Sequence, residues 1–101
     1  MEKKLGIYVT ADHEMENLLC LCRAARKKGV KVAVFLTHLG TRLTQNPRFL
    51  ELTGLADVAL CKVGFEANGL AVPPEGLGTA AMASQSWHAE MIYDCDRYIT
   101  F

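Results

Sequence analysis

Three residues carry the chemistry open to this chain, Cys61, His13 and His38, and each one follows an apolar run. Cys61 closes the run Ala56-Asp57-Val58-Ala59-Leu60 and precedes the glycine-punctuated stretch Lys62-Val63-Gly64-Phe65-Glu66-Ala67-Asn68-Gly69-Leu70. The pattern reads as strand, thiol, helix. A cysteine at that junction meets free backbone N–H groups and the positive end of a helix dipole, and both favour thiolate over thiol. Cys61 is therefore a candidate nucleophile or sulfur carrier. The plainer reading makes it a small apolar residue closing a core strand, because free cysteines are among the most buried residue types.

His13 follows the first strand-like run and His38 the second. In a parallel α/β sheet the carboxyl ends of all strands share one edge, and ligands bind there. Cys61, His13 and His38 are expected on that edge. An imidazolium nearby would lower the thiol pKa, and either histidine could carry a proton during attack on a sulfur acceptor. Taken alone, each histidine reads as a solvated loop residue. A metal site built from the three is the competing arrangement, but their wide spacing enforces no ligand geometry and no fourth ligand is evident.

The elements that position these residues follow from periodicity. Lys4 to Thr10 is a β-branched and aromatic run, expected as the first strand. From Asp12 the spacing turns helical, with Met15, Leu18, Leu19, Cys22 and Ala25 or Arg26 on one face. Acidic residues open this helix, basic ones close it, and Gly29 ends it in a left-handed cap. Val30 to Thr37 is nearly continuous in apolar residues, as expected of a strand covered on both faces. His38 to Asn46 reads as a loop. Asn46 then caps a short helix over 47–54, with Pro47 at its first position and Gly54 at its end. The third strand is Asp57 to Leu60, followed by Cys61 and a helix over 62–70.

Two prolines and two glycines make Ala71 to Gly78 a surface loop or lid. Thr79 to Ala83 is expected as a short strand, supplying a neighbour for the last one. Ser84 or Ser86 caps a helix reaching about Tyr93, with Trp87, Met91 and Ile92 inward, and Asp96 to Phe101 is the final strand. The fold class is thus α/β, a mainly parallel five-stranded sheet in a single domain over 1–101.

Other chemistry is disfavoured by residue type. Cys20 and Cys22 sit two residues apart in one helix, so their thiols point to opposite sides. The segment after the first strand lacks the hydroxyl-rich phosphate loop of flavodoxins, and Cys61 stands where a receiver domain would carry its phosphoacceptor aspartate. Gly76-Leu77-Gly78-Thr79-Ala80-Ala81 matches G-x-G-x-x-A but follows a proline pair instead of a strand, so it reads as loop geometry. Eleven basic and eleven acidic side chains leave no net field for a nucleic-acid backbone or an anionic membrane. Four cysteines without C-x-x-C pairing, and no signal-like or membrane-spanning run, lead us to expect a cytoplasmic protein with free thiols.

Over nearly its whole length the chain resembles the DsrE/DsrF-like family, the sulfur-relay group that includes the Tus sulfur-transfer subunits. The resemblance is carried by Lys4-Leu5-Gly6-Ile7-Tyr8-Val9-Thr10, by Val58-Ala59-Leu60-Cys61 with Gly69-Leu70, and by Ser84-Gln85-Ser86-Trp87-His88-Ala89-Glu90-Met91 with Asp96-Arg97-Tyr98-Ile99-Thr100-Phe101. It implies a three-layer, flavodoxin-like α/β/α domain that assembles as a homo-oligomer, a trimer or hexamer. It also implies sulfur carried as a persulfide on Cys61, with Lys62, His13 or His38 assisting. The implied partners are sulfur donor and acceptor proteins or small thiols, and no cofactor is required. The family also holds members lacking an active cysteine, so the alternative is a non-catalytic oligomeric module of the same fold that binds a small ligand or a protein.

Overall fold

The computed structural model describes residues 3–69, 82–83 and 85–101, the side chains of 82–83 and 85–87 excepted. Within these the architecture is α/β with a parallel sheet. Its strands are β1 (Lys4–Val9), β2 (Lys31–Leu36), β3 (Asp57–Cys61), a two-residue segment β4 (Met82–Ala83) and β5 (Arg97–Thr100). Between them run α1 (Met15–Lys27), a 3-10 helix (His38–Gln45), α2 (Phe49–Leu55), α3 (Lys62–Ala67) and α4 (Gln85–Asp94). The expected lid over 71–78 and the G-x-G-x-x-A segment lie outside the described residues.

The strands lie in the order β4-β3-β2-β1-β5, and every pairing is parallel. From β1 to β4 the strand order steps in one direction, and the return to β5 passes three strands. The side chains of the strands sort into two clusters. Ile7, Val9, Val34, Leu36, Val58 and Leu60 pack with α1, α2 and Phe65 of α3. The alternate residues Tyr8, Ala33, Phe35, Ala59 and Cys61 pack with Met91 and with Cys95 just past α4. The last strand finds its neighbour in β1, not in the Met82–Ala83 segment, because its register ties Leu5 to Arg97 and Tyr8 to Thr100.

Helix α1 buries Met15, Leu18, Leu19, Cys22 and Ala25, the stripe its spacing predicts. It starts at Met15, after Glu14, instead of at Asp12. Its end is a Schellman motif. Gly29 takes φ +73°, its N–H donates to Arg26 O at 3.0 Å, and Val30 N–H donates to Ala25 O at 2.9 Å. Asn46 Oδ1 accepts the Arg48 N–H at 2.8 Å in a turn before α2, but the helix itself starts at Phe49 with Arg48 in the N-cap position and no side-chain cap, two residues later than expected from Pro47, and it runs through Gly54 to Leu55.

The segment expected as a loop, His38 to Asn46, is instead a 3-10 helix over His38–Gln45. Threonines at three-residue spacing explain it. Thr41 Oγ1 donates to His38 O at 2.9 Å and Thr44 Oγ1 donates to Thr41 O at 2.8 Å, the reach of an i→i+3 turn. Leu43 and Thr41 are buried beneath it, and Gly40 lies flush on the carbonyl of Val9.

In α4 and just past its end, His88, Met91 and Cys95 follow i, i+3, i+7 spacing toward the sheet, and Met91 is buried. Ile92 was expected inward, but it falls one residue round the helix and is 45 % exposed. The Trp87 side chain is outside the described residues.

Candidate functional site

Cys61 is the last residue of β3 and the residue from which α3 departs, in extended conformation at φ −73° and ψ 116°. It therefore stands at the carboxyl edge of the parallel sheet, where its neighbours Leu60 and Ala59 continue the ladder to Leu36 and Phe35. Strand alternation sends Leu60 to the α1 side and Cys61 to the α4 side. There it packs with Phe35, Ala59 and Met91 and is 8 % exposed.

Lys62 is the first residue of α3 and is exposed, directly beside Cys61 in the chain. His13 sits in the bend between β1 and α1 with its side chain 74 % exposed. Its Nε2 lies 3.2 Å from Glu14 and its Nδ1 3.9 Å from Asp12. Both ring nitrogens thus face carboxylates, and Arg42 reaches the same Asp12 at 3.4 Å.

The main chain of His38 lies near Cys61. His38 is the sole non-glycine residue at positive φ among the described residues, at +50°. Asn68 holds it there: its Nδ2 donates to His38 O at 2.7 Å, to Thr41 Oγ1 at 2.8 Å and to Gly64 O at 3.0 Å. A Cβ on Gly64 would stand 3.1 Å from His38 N and 3.8 Å from Cys61 Cβ. The main chain of His38 and the Cβ of Cys61 are therefore no farther apart than those two distances together. Glycine at 64 is what lets the start of α3 approach the His38 turn so closely. Among the described residues, no hydrogen bond or ion pair joins Cys61 to His13, His38 or Lys62.

A third imidazole, unassigned by the sequence, shares the face on which Cys61 lies. The ring of His88 stacks on Phe35 at 5.3 Å and 8°, and its centroid is 4.1 Å from that of Tyr8. Its Nε2 shares a 2.7 Å hydrogen bond with the Tyr98 hydroxyl. Desolvation pushes the His88 pKa below the ordinary histidine value and, as the leading cause, raises that of Tyr98. Burial favours neutral imidazole and neutral phenol together, so the pair acts as a hydrogen bond between uncharged groups. The spacing of His88 to Met91 and Cys95 was the available signal, hidden because Trp87 and Ile92 also made a plausible stripe.

The remaining thiols separate by burial. Cys22 is fully covered in the α1 core, which pushes its pKa up to about 11. Cys20, on the opposite side of the helix, is exposed and meets Glu16 at 4.0 Å. Cys95 is half-buried, and desolvation raises its pKa against the opposing pull of Lys4. Among the described residues no three His, Cys, Asp or Glu side chains converge as a bound metal would require, and no helix is long and apolar enough to cross a membrane. No family model, no curated protein and no solved structure matches the chain.

Proposed function

We propose that the protein is a sulfur carrier or sulfurtransferase that holds persulfide sulfur on Cys61. The observation that carries this reading is the position of Cys61 at the carboxyl edge of the parallel sheet, at the start of α3 and beside the main chain of His38. The resemblance to the DsrE/DsrF-like family supports it. With that resemblance come a three-layer, flavodoxin-like arrangement of five strands, homo-oligomeric assembly and a cytoplasmic setting.

The step would be a balanced exchange. The Cys61 thiolate attacks the terminal sulfur of a donor persulfide, the donor S–S bond breaks, and the donor leaves as a thiolate that takes up the proton Cys61 gave up. An acceptor thiolate then attacks the outer sulfur on Cys61 in the same manner. No net oxidation occurs. Lys62 offers a positive charge beside the attacking sulfur, and His38 or His13 offers a proton acceptor on the same edge.

A second reading has its own observation. Cys61 packs among Phe35, Ala59 and Met91 with little exposure, which favours a structural cysteine in a non-catalytic binding module. Intact-mass spectrometry after incubation with a persulfide donor separates the two. Gain of one sulfur that is lost in Cys61→Ser and kept in Cys20→Ser, Cys22→Ser and Cys95→Ser supports the carrier. Absence of that gain across several donors supports the module.

A further inference from the structure

On one side the sheet ends in β5, and among the described residues no strand continues it. Phe101 N–H donates to Tyr8 O at 2.8 Å and Phe101 O accepts the Thr10 N–H at 2.9 Å, so Phe101 turns both main-chain groups toward β1. Strand alternation gives Ile99 the same direction and sends the main-chain N–H and C=O of Tyr98 and Thr100 outward. Among the described residues no hydrogen bond reaches those outward groups. Exposed edges are commonly blunted by lysine, proline or a bulge. Short as it is, β5 has none of these: it reads Arg97-Tyr98-Ile99-Thr100, and its register with β1 runs without interruption.

The flank of α4 nearest this edge is apolar. Glu90, Met91 and Asp94 line a cavity with Ala33 and Asp57, on the β2 and β3 side of the helix. A helix turns about 100° per residue, so Ile92 points to the other flank, the one from which His88 reaches the Tyr98 hydroxyl. Ile92 is 45 % exposed and Tyr98 38 %, which leaves an isoleucine and a tyrosine uncovered on the β5 side of α4.

We propose that β5 is the contact through which two copies of this chain form a two-fold dimer, their edges pairing antiparallel about Ile99. The edge is self-complementary in that register. Tyr98 stands opposite Thr100 of the second copy and Thr100 opposite its Tyr98, and each pair exchanges two N–H···O bonds through the groups that point outward in the single chain. An aromatic ring beside a β-branched residue is a favourable cross-strand pair. On the α4 face, Ile92 and Tyr98 of both copies close over the junction. On the other face Arg97 comes opposite Phe101 of the second copy, whose carbonyl is bonded to Thr10 just ahead of the bend that carries Asp12 and Glu14. This pairing of a cation with an acidic bend occurs twice about the axis, and a net charge of zero sets no repulsion between copies. The contact does not depend on the sulfur chemistry of Cys61, and it gives the homo-oligomer of the functional reading a defined two-fold interface.

The test is sedimentation equilibrium of the full chain, with amide exchange read by NMR. The expected result is a monomer–dimer equilibrium with Kd on the order of 10 µM, as suits one strand pair and a small apolar patch. Exchange at the Tyr98 and Thr100 amides slows as concentration rises through that value. Thr100→Pro removes an outward N–H that the β1 ladder does not use, a change an edge strand tolerates, and abolishes the dimer. Ile92→Lys weakens it about tenfold and Arg97→Glu about fivefold, whereas Leu50→Lys, at an exposed position of α2, leaves it unchanged. If Thr100→Pro fails to fold, amide exchange and Ile92→Lys decide the matter. A monomer up to about 1 mM, a dimer indifferent to Ile92→Lys, or a trimer, whose contacts cannot be two-fold, overturns the proposal. Sulfur loading of Cys61 is read separately by mass, so either result stands without the other.

Discussion

Replacing Gly40 by alanine places a methyl group where the protein has backbone. Its Cβ would stand 2.3 Å from Val9 O and 2.9 Å from Val9 C, with Thr10 N at 3.4 Å. A carbon next to a carbonyl oxygen needs about 3.3 Å, so β1 and the 3-10 helix must part by roughly 1 Å. No flexible side-chain tip can give way. Val9 O also accepts the Thr37 N–H at 2.9 Å, and Gly40 N–H donates to Thr37 O at 2.8 Å, so the separation strains the hydrogen bonds that enter the turn. Overpacking costs about 1–3 kcal/mol and a weakened buried hydrogen bond about 1 kcal/mol more, which together make about 3 kcal/mol. For a domain of this size that lowers Tm by roughly 12–24 °C. Gly54→Ala is the control. Gly54 lies inside α2 with nothing within 4 Å of the added carbon, and the substitution stabilises the helix by about 0.5–1 kcal/mol. Urea denaturation followed by circular dichroism measures both. A folded Gly40→Ala protein within about 0.5 kcal/mol of wild type, with an unchanged m-value, would refute the close approach of the 3-10 helix to β1.

Asn68→Ala removes the donor that joins the His38 turn, Thr41 and α3, and should cost about 1–2 kcal/mol in urea, with hydrogen exchange accelerated at His38 to Thr41 before it changes in α1. In thiol labelling at neutral pH, Cys20 should react first and Cys22 only at the rate of global unfolding, so a fast Cys22 would contradict its place in the core. The same thiol has a sign in pH: its folded pKa is raised, so its contribution is complete below pH 9 and is lost as pH rises through about 11, a loss that Cys22→Ala should abolish. For His88 the folded pKa is lowered, so the stability from its neutral ring is present above the ordinary histidine value and lost as pH falls through the folded one. An NMR titration placing His88 at or above that ordinary value would refute its desolvation against Phe35 and Tyr8.

Where a local signal exists, the sequence is legible. The Met15 to Ala25 stripe and the Gly29 cap each act within a few residues, and the structure contains both, whereas Asn46 closes a turn two residues ahead of α2 instead of capping it. The threonine spacing in the His38 segment was also local, but a run of Thr, Gly and Asn resembles loop composition as closely as it does a 3-10 turn. The α4 face was ambiguous for another reason. Trp87, Met91 and Ile92 satisfy one helical stripe and His88, Met91 and Cys95 another, and only a packed sheet chooses between them.

The amino-acid sequence by itself determined the parallel α/β class and the junction of Cys61 with a strand and a helix, because alternation, periodicity and capping are properties of neighbouring residues. Tertiary structure decided the rest. Whether β5 pairs with β1 depends on hydrogen bonds between residues some ninety positions apart, such as Phe101 N–H to Tyr8 O. It also decided that His38 reaches the Cys61 turn through Gly64, and that His88 stacks on Phe35 over the Cys61 face. Such juxtapositions follow from register and packing across the whole sheet, which no stretch of chain encodes alone.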